Sequence, residues 1–231
     1  MSKWIIEKSP VMECPVFEED LNFPLRNVYC VGRNYRDHAI EMGSNPDRDP
    51  PFFFQKTSDI ILKDGETLKY PIDTLSLHYE VELVVFISKN AFQIKASEAK
   101  NIIFGYGVGV DITKRDIQKV AKDSGKPWFS GKVFNGSAVL SNIIPISKSL
   151  DPDKIRISLS VNGEKKQESG CNKMIWNIYE LISILSESIP LKAGDVIFSG
   201  TPAGVGKLKK DDSVLAKLHQ PNASSLNFKI G

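Results

Sequence analysis

Residues 77–86 read LHYEVELVVF, a run of large apolar side chains that carries two glutamates. Such a run is typical of a buried strand, which the sequence predicts over 77–87 and in which side chains two positions apart point to the same face. Glu80 and Glu82 therefore project together, and Val84 and Phe86 continue their face. A solvated strand face would accommodate two glutamates, but an apolar continuation disfavours that interpretation. Two carboxylates on such a face repel each other unless a cation lies between them.

Strand-like stretches lie on both sides of this one. They are rich in Val, Ile and Phe, and they occupy residues 27–31, 52–56, 104–111, 132–140, 155–162, 195–199, 213–218 and 225–230. Asn162-Gly163 fits a two-residue hairpin turn. Helical patterns cover 113–124, with a capping-box-like start, and 172–186, with Asn172 as a candidate N-cap. Because helices and strands do not alternate, the sequence predicts a β-rich α+β fold rather than a doubly wound parallel sheet.

Length and composition exclude several classes of protein. The 231 residues fit one large domain, within which the polar stretch NPDRDPP at 45–51 predicts a mobile loop. Thirty Lys and Arg against 28 Asp and Glu are scattered along the chain, which disfavours nucleic-acid binding. No apolar run approaches the roughly 18 residues that span a bilayer, so we expect no membrane association.

The N-terminus and the cysteines predict the compartment. The first residues have no apolar signal core, and their early acidic side chains are unlike a transit peptide. Three widely spaced cysteines without a CxxC motif indicate reduced thiols rather than disulfides or a zinc site. We therefore expect a soluble intracellular protein, cytoplasmic or in the mitochondrial matrix.

A third carboxylate, Asp111, ends the predicted strand 104–111, just before the first predicted helix. Strand ends that lead into helices commonly carry site residues, although a helix cap would equally explain this aspartate. Together with Glu80 and Glu82 it would form an oxygen-ligand site suited to Mg²⁺, Mn²⁺ or Ca²⁺ rather than to zinc.

His38 and Glu41 are three positions apart. If residues 37–42 form a helical turn, the two side chains share a face and can pair. A carboxylate that holds an imidazole sets its tautomer and raises its basicity, which suits a general base that activates water. A surface His–Glu contact would show the same spacing. His78 and His219 have no comparable partner pattern.

Two glycine-rich stretches do not fit nucleotide sites. Residues 105–109 lack the GxGxxG spacing, and residues 200–207 lack the length and the Ser or Thr of a P-loop. The second stretch is better interpreted as a tight loop after the strand 195–199. Its backbone amides and Thr201 could bind a carboxylate or an oxyanion.

Taken together, five motifs resemble the fumarylacetoacetate hydrolase family, and the resemblance runs from about residue 27 to the C-terminus. They are VYCVGRNYRDHAIEM (28–42), LHYEVEL (77–83), GVGVDITKRD (107–116), PWFSGK (127–132) and GDVIFSGTPAGVG (194–206). The chain looks most like the short acylpyruvase and oxaloacetate decarboxylase branch. The resemblance implies an N-terminal extension at 1–26, a catalytic domain at 27–231 that forms a roll of mixed β-sheets, and a homodimer.

The resemblance also assigns residues to roles. It implies that Glu80, Glu82 and Asp111 bind Mg²⁺ or Mn²⁺, with Ca²⁺ as an alternative. It implies a catalytic pair of His38 and Glu41 on a lid, with Lys132 near the polarised oxygen of the substrate. The implied substrate contacts are Arg33, Lys56, Arg115, Gln118 and Thr201. Phe52, Phe53 and Phe54 depart from the residues expected at these positions in the family, and such a difference would affect which substrate is chosen.

The implied activity is metal-dependent cleavage of a C–C bond in 2,4-dioxo acids, which is acylpyruvate hydrolysis, together with oxaloacetate decarboxylation. Both reactions would pass through a metal-stabilised pyruvate enolate, and the substrate would be a small β-keto acid. Oxaloacetate tautomerisation shares that enolate and is the close alternative. A non-catalytic calcium-binding module is the alternative from a different class.

Overall fold

Strands dominate the molecule, a computed structural model that describes residues 5–7, 9–43, 49–149 and 151–231. In chain order the strands of this region are β1 (Glu13–Pro15), β2 (Asn22–Pro24), β3 (Asn27–Gly32), β4 (Phe52–Thr57), β5 (Ile61–Lys63), β6 (Thr67–Leu68), β7 (Leu77–Tyr79), β8 (Val81–Ile87), β9 (Ile103–Asp111), β10 (Thr113–Lys114), β11 (Ala138–Leu140), β12 (Ile144–Pro145), β13 (Arg156–Val161), β14 (Glu164–Gly170), β15 (Val196–Phe198), β16 (Gly206–Lys207), β17 (Ser213–His219) and β18 (Ser224–Ile230).

The helices are few and short. They are α1 (Arg36–Glu41), α2 (Ala96–Ala99), α3 (Arg115–Asp123), α4 (Phe129–Lys132) and α5 (Ile178–Ser188). Short 3₁₀ turns lie at Ser58–Ile60, Lys100–Ile102, Ile146–Lys148, Pro152–Lys154 and Cys171–Lys173. No helix in the described ranges is long and apolar enough to cross a membrane.

The largest sheet is mixed and has eight strands in the order β4-β3-β15-β8-β9-β11-β5, with β12 beside β9. Strands β3 and β15 pair in parallel, as do β5 and β11, and the other neighbours are antiparallel. A five-stranded sheet has the order β14-β13-β17-β18-β6, and smaller sheets are formed by β10-β7-β16 and β1-β2. The predicted β-rich α+β fold with a curled mixed sheet is confirmed.

Both faces of the central sheet are covered, which explains why β8 is buried along its whole length. On one face Leu83 and Val85 join the apolar side chains of the five-stranded sheet in the larger core cluster. On the other face Val84 and Phe86 pack in a second cluster. Burial of each large apolar side chain contributes about 1.5–3 kcal/mol. The face that carries Val84 and Phe86 is the one on which the sequence places Glu80 and Glu82.

The N-terminal segment completes the second cluster. Strands β1 and β2 form a hairpin, and the cluster includes Cys14, Val16, Phe23 and Leu25 from this segment. Cys14, Cys30 and Cys171 are buried and free, as the sequence predicts. Residues 45–48 of the predicted mobile loop lie outside the described residues.

Most predicted elements are present, and the Asn162-Gly163 hairpin is confirmed. The two residues have φ values of 51° and 80°, the positive values that a type I′ turn requires, and they join β13 to β14. Strand β14 was not predicted, because Glu, Lys and Gln occupy most of this edge strand. The predicted continuous strand 77–87 is broken at Glu80.

Three predicted boundaries are wrong. The strand predicted over 132–140 is only Ala138–Leu140, because residues 129–132 form α4 and Gly136 turns the chain at φ 79°. Helix α3 begins at Arg115 rather than at 113, because Thr113 and Lys114 pair with β7. Helix α5 begins at Ile178, with Asn177 rather than Asn172 as its cap.

Candidate active site

Three carboxylates converge where β8 and β9 lie side by side. Glu80 precedes β8, Glu82 lies within it, and Asp111 is the last residue of β9. One ligand atom from each residue lies within 4.8 Å of the other two. Their exposed fractions are 5%, 1% and 1%, which excludes the solvated strand face as an explanation. Asp111 is not a helix cap either, because Lys114 occupies the N-cap position of α3.

Cationic side chains surround this cluster. Lys132 Nζ donates to Glu80 Oε2 at 2.7 Å, to Asp111 Oδ2 at 2.7 Å and to Thr113 Oγ1 at 2.8 Å. Arg115 Nη2 pairs with Glu80 Oε1. Lys56 Nζ lies 3.0 Å from Asp111 Oδ1 and donates to Ser137 O at 2.9 Å. Short helix α4 thus delivers Lys132 directly between two of the carboxylates.

The neighbouring charges move the carboxyl pKa values apart. Burial raises the pKa of Glu80, but the positive charges of Lys132 and Arg115 outweigh burial and hold this pKa well below its usual range. Burial, followed by the charges of Asp111 and Glu80, raises the pKa of Glu82 well above its usual range. Negative charge at Glu82 is therefore poorly compensated by the protein, and a bound cation would compensate it.

The donor set fits a hard divalent cation. All three residues offer carboxylate oxygens, which Mg²⁺ and Mn²⁺ prefer. Asp111 Oδ1 is buried and lies 3.0 Å from Lys56 Nζ, with which it forms an ion pair.

The predicted pair of His38 and Glu41 is formed on α1. His38 Nδ1 lies 3.0 Å from Glu41 Oε2, and Glu41 Oε1 accepts from Gly204 N at 3.1 Å. An ionised carboxylate only accepts hydrogen bonds, so Nδ1 carries the proton and Nε2 is left as the basic nitrogen. His38 is 5% exposed, which distinguishes this pair from a surface contact.

The loop 200–206 connects the pair to the carboxylates. Gly200 N donates to Glu82 Oε2 at 2.6 Å, and Gly204 N donates to Glu41. Gly200 and Gly204 have φ values of +94° and +96°, which favour glycine. The amides of this loop were predicted to bind a carboxylate or an oxyanion. Two of them bind carboxylates of the protein instead, and Thr201 lines the cleft.

These groups open into one cleft. It is lined by Val31, Gly32, Arg33, His38, Met42, Phe54, Glu80, Glu82, Arg115, Gln118, Lys122, Trp128, Lys132 and Thr201. The structure therefore brings His38, Lys132, Arg33, Arg115, Gln118 and Thr201 to the same cleft as two of the carboxylates. Glu41, Lys56 and Asp111 do not line the cleft, but each contacts a residue that does.

Two cleft-lining residues, Arg33 and Trp128, form a cation–aromatic cluster with the neighbouring Phe52. The Arg33 guanidinium lies 5.7 Å from the Phe52 ring centroid and 5.9 Å from the Trp128 ring centroid. Phe52 and Trp128 pack edge to face with centroids 5.0 Å apart. Arg33 has a φ of 58°, which is uncommon for a residue with a side chain. Elsewhere in the cleft lining, Arg115 Nη1 donates to Gln118 Oε1.

Comparison with known proteins identifies the family. The family described as fumarylacetoacetate (FAA) hydrolase C-terminal matches residues 27–225. The chain belongs to the fumarylacetoacetate hydrolase family. Among relatives of this family member, "oxaloacetate tautomerase FAHD1, mitochondrial" of Bos taurus is 37% identical over 205 residues, 89% of this chain and 91% of the relative. Fumarylpyruvate hydrolase of a Ralstonia species is 40% identical over 167 residues, 72% of this chain and 86% of the relative.

A solved structure of a relative matches nearly the whole length of this chain. The crystal structure of fumarylpyruvate hydrolase from Pseudomonas aeruginosa, in complex with Mn²⁺ and pyruvate, superposes with a TM-score of 0.94 at 38% identity. It covers 99% of each chain. This family member is therefore an enzyme rather than a non-catalytic calcium-binding module.

Three residues that line the site of this family member or hold its segments in place were not predicted from the sequence. Trp128 lines the cleft, and Asn34 fastens the segment before α1 by donating to Ser199 O at 2.8 Å and Trp176 O at 2.9 Å. Both lie inside the quoted motifs, so their positions were a usable signal. Gln167, in the charged stretch EKKQES, bonds to both β8 and the loop 200–206, and nothing in the local sequence points to it.

Proposed function

We propose that this chain is a metal-dependent hydrolase of 2,4-dioxo acids (acylpyruvates) that also decarboxylates oxaloacetate. The observation that carries this proposal is one cleft that holds both a carboxylate-oriented histidine and a cluster of buried carboxylates. The similarity to the fumarylpyruvate hydrolases and oxaloacetate tautomerases supports it.

In this proposal Glu80, Glu82 and Asp111 hold Mg²⁺ or Mn²⁺, with Ca²⁺ as a weaker alternative. The Mn²⁺ named in the Pseudomonas complex supports a divalent ion of this class. Such an ion supplies Lewis-acid chemistry, because it polarises a 2-oxo group and stabilises negative charge that develops as a C–C bond breaks.

His38 is the proposed general base. Its Nε2 removes a proton from the water that attacks the distal carbonyl carbon, and Glu41 stabilises the imidazolium through Nδ1. General-base assistance of this kind contributes about 10²–10⁴ in rate. The proton then passes to the leaving carbon, so the products are a carboxylic acid and pyruvate.

Lys132 and Thr201 are proposed to bind the reacting acid. Burial lowers the pKa of Lys132, but the negative charges of Asp111 and Glu80 outweigh burial and raise this pKa above its usual value. The ammonium therefore stays charged. From the cleft wall this charge stabilises an oxyanion on the substrate. The Thr201 hydroxyl holds the substrate carboxylate.

Arg33, Arg115 and Gln118 are proposed as further substrate contacts from the cleft wall. Lys56 is proposed to act on the substrate only indirectly, without touching it. Its Nζ is fully buried and bonded to Ser137, so it acts by holding Asp111.

Oxaloacetate tautomerisation is a second candidate, favoured by the relatives at 37–40% identity that carry this name. A base beside a 2-oxo acid can move a proton between carbon and oxygen without breaking a C–C bond. Exchange of the C3 protons of oxaloacetate that is faster than CO₂ release and acylpyruvate cleavage would favour this activity.

The first experiment follows the enol absorbance of acetylpyruvate with metal-stripped protein, before and after Mg²⁺ or Mn²⁺ is added. We expect decay only with metal, abolished in His38→Ala and in Glu82→Ala. His219→Ala is the matched control, because this exposed histidine contacts Ser158 and not the cleft. Full activity of Glu82→Ala would overturn the metal assignment, and full activity of His38→Ala would overturn the base.

We also propose a homodimer that works in the cytoplasm or the mitochondrial matrix. Free buried thiols suit such reducing compartments. Sedimentation at twice the chain mass of 25.7 kDa is the expected result, and a monomer alone would overturn the dimer.

A further inference from the structure

Gln167 is a buried amide on β14, a strand whose other residues from Glu164 to Glu168 are exposed and charged. Its neighbours Lys166 and Glu168 are charged, whereas its own side chain is 1% exposed. The loop 200–206 packs directly on this strand, because a Cβ added at Gly204 would lie 2.4 Å from Lys166 O. Gln167 therefore faces the active-site loop from below.

The hydrogen bonds of Gln167 fix the orientation of its amide. Val81 N can only donate, and it lies 2.9 Å from Oε1. Pro202 O can only accept, and Nε2 donates to it at 2.8 Å. A flipped amide would place like groups together at both contacts, so the oxygen faces β8 and the NH₂ group faces the loop.

This orientation determines the polarity of Thr201. The second Nε2 hydrogen of Gln167 is donated to Thr201 Oγ1 at 2.9 Å. A hydroxyl that accepts on one side keeps its single proton for another direction. Because Thr201 lines the cleft, that proton is available to a group bound there. An ionised carboxylate, which only accepts hydrogen bonds, is the matching ligand group.

We propose that Gln167 is a positioning residue that makes the Thr201 hydroxyl a hydrogen-bond donor toward the substrate carboxylate. The same amide ties the loop to Val81, which lies between Glu80 and Glu82, so it also fixes the spacing between the carboxylate-binding hydroxyl and the carboxylate cluster. This inference rests on the proposed function, because it takes the ligand to be a 2-oxo acid.

The test reverses the polarity of the contact. Gln167→Glu keeps an acceptor for Val81 N and, when the carboxylate is ionised, presents its second oxygen as an acceptor to Thr201, whose proton then turns away from the cleft. Pyruvate affinity of the Mn²⁺-loaded protein, measured by calorimetry, is expected to fall about tenfold, the loss of one charge-assisted hydrogen bond. KM for acetylpyruvate is expected to rise by a similar factor while kcat changes by less than about threefold.

A double-variant comparison separates positioning from a structural role. Thr201→Val should also lower pyruvate affinity, and Gln167→Glu added to it should change the affinity by no more than about twofold, because the two residues act through one contact. Losses that multiply would overturn the proposal. Mn²⁺ affinity is measured in parallel, and a pyruvate defect fully explained by weaker Mn²⁺ binding would also overturn it.

Two further variants keep the test decisive. Gln167→Met, which is neutral and of similar length, should weaken pyruvate binding about threefold, and again not in the Thr201→Val background. It decides the question if Gln167→Glu does not fold, and unchanged affinity in it would then overturn the proposal. Gln55→Glu is the matched control at an exposed glutamine, with no expected change in affinity.

The wild-type protein separates this proposal from the proposed function. Pyruvate binding without turnover of acetylpyruvate or oxaloacetate would overturn only the proposed function. Neither binding nor turnover would overturn both.

Discussion

Both oxygens of the Glu41 carboxylate are in use, one on His38 Nδ1 and one on Gly204 N. The spacing of His38 and Glu41 predicted this pair, since it depends only on one helical turn. The second contact, with a loop 163 positions away in the sequence, has no local signal. Through this contact Glu41 connects helix α1 to the loop 200–206.

The variant Glu41→Gln tests whether Glu41 must bind both His38 and Gly204. A glutamine side chain has only one acceptor oxygen, so either the Gly204 contact or the Nδ1–H tautomer of His38 is lost. We expect kcat for acetylpyruvate to fall by about 10–100-fold, less than the full general-base contribution of about 10²–10⁴, because His38 itself is retained. Steady-state kinetics measures this, with the exposed Glu187→Gln on α5 as control. Unchanged kcat would show that Glu41 does not orient the base.

Among the secondary-structure elements, α5 begins at Ile178, later in the chain than the sequence predicted. Asn177 accepts from the backbone nitrogens of Tyr179 and Glu180, and Glu180 returns a bond to Asn177 N, which completes a capping box. Asn172 shows the same residue type five positions earlier, within a 3₁₀ turn. Residue type alone could not choose between the two.

Asn177→Ala should lower the free energy of unfolding by about 1 kcal/mol, because the cap satisfies two backbone donors. Asn172→Ala is the matched control, with an expected change within about 0.5 kcal/mol. Urea unfolding with equal slopes for all three proteins measures the difference. Equal losses in the two variants would contradict the observed cap.

The loop 200–206 gives a second prediction at this scale. Gly204→Ala combines a positive φ with a Cβ that would meet Lys166 O, whereas Gly163 has a φ of +80° and open space. We expect Gly163→Ala to cost about 1 kcal/mol of stability and Gly204→Ala about 1–3 kcal/mol more. Only Gly204→Ala should also lower kcat, because its loop holds Glu41 and Thr201. Matching stability and activity in the two variants would show that the loop is free to move.

For the whole molecule, the buried carboxylates link metal binding to folding. Mn²⁺ at about 100 times its dissociation constant should add about 2.7 kcal/mol and raise Tm by about 5–10 °C. Glu82→Gln should lose this shift. Without metal it should be at least as stable as the wild type, because burial and the charges of Asp111 and Glu80 disfavour the ionised Glu82. Differential scanning calorimetry measures both effects, and an undiminished Mn²⁺ shift in Glu82→Gln would place the ion elsewhere.

The sequence by itself determined the β-rich class, the shared face of Glu80 and Glu82, and the His38–Glu41 pair. Each depends on the period of a strand or helix, which neighbouring residues set. The family motifs also predicted that the remaining site residues belong together.

Only the tertiary structure decided how those residues meet. Lys132 reaches Glu80 across 52 positions, Gly200 reaches Glu82 across 118, and Gln167 reaches Val81 across 86. Sequence periodicity carries no information about such contacts, because they depend on how the sheets pack and where the loops return. The same limit explains why Lys132 was predicted to lie in a strand although it ends helix α4. Local propensity favoured extended backbone there, and packing of α4 against α3 and β10 fixed a helical turn instead.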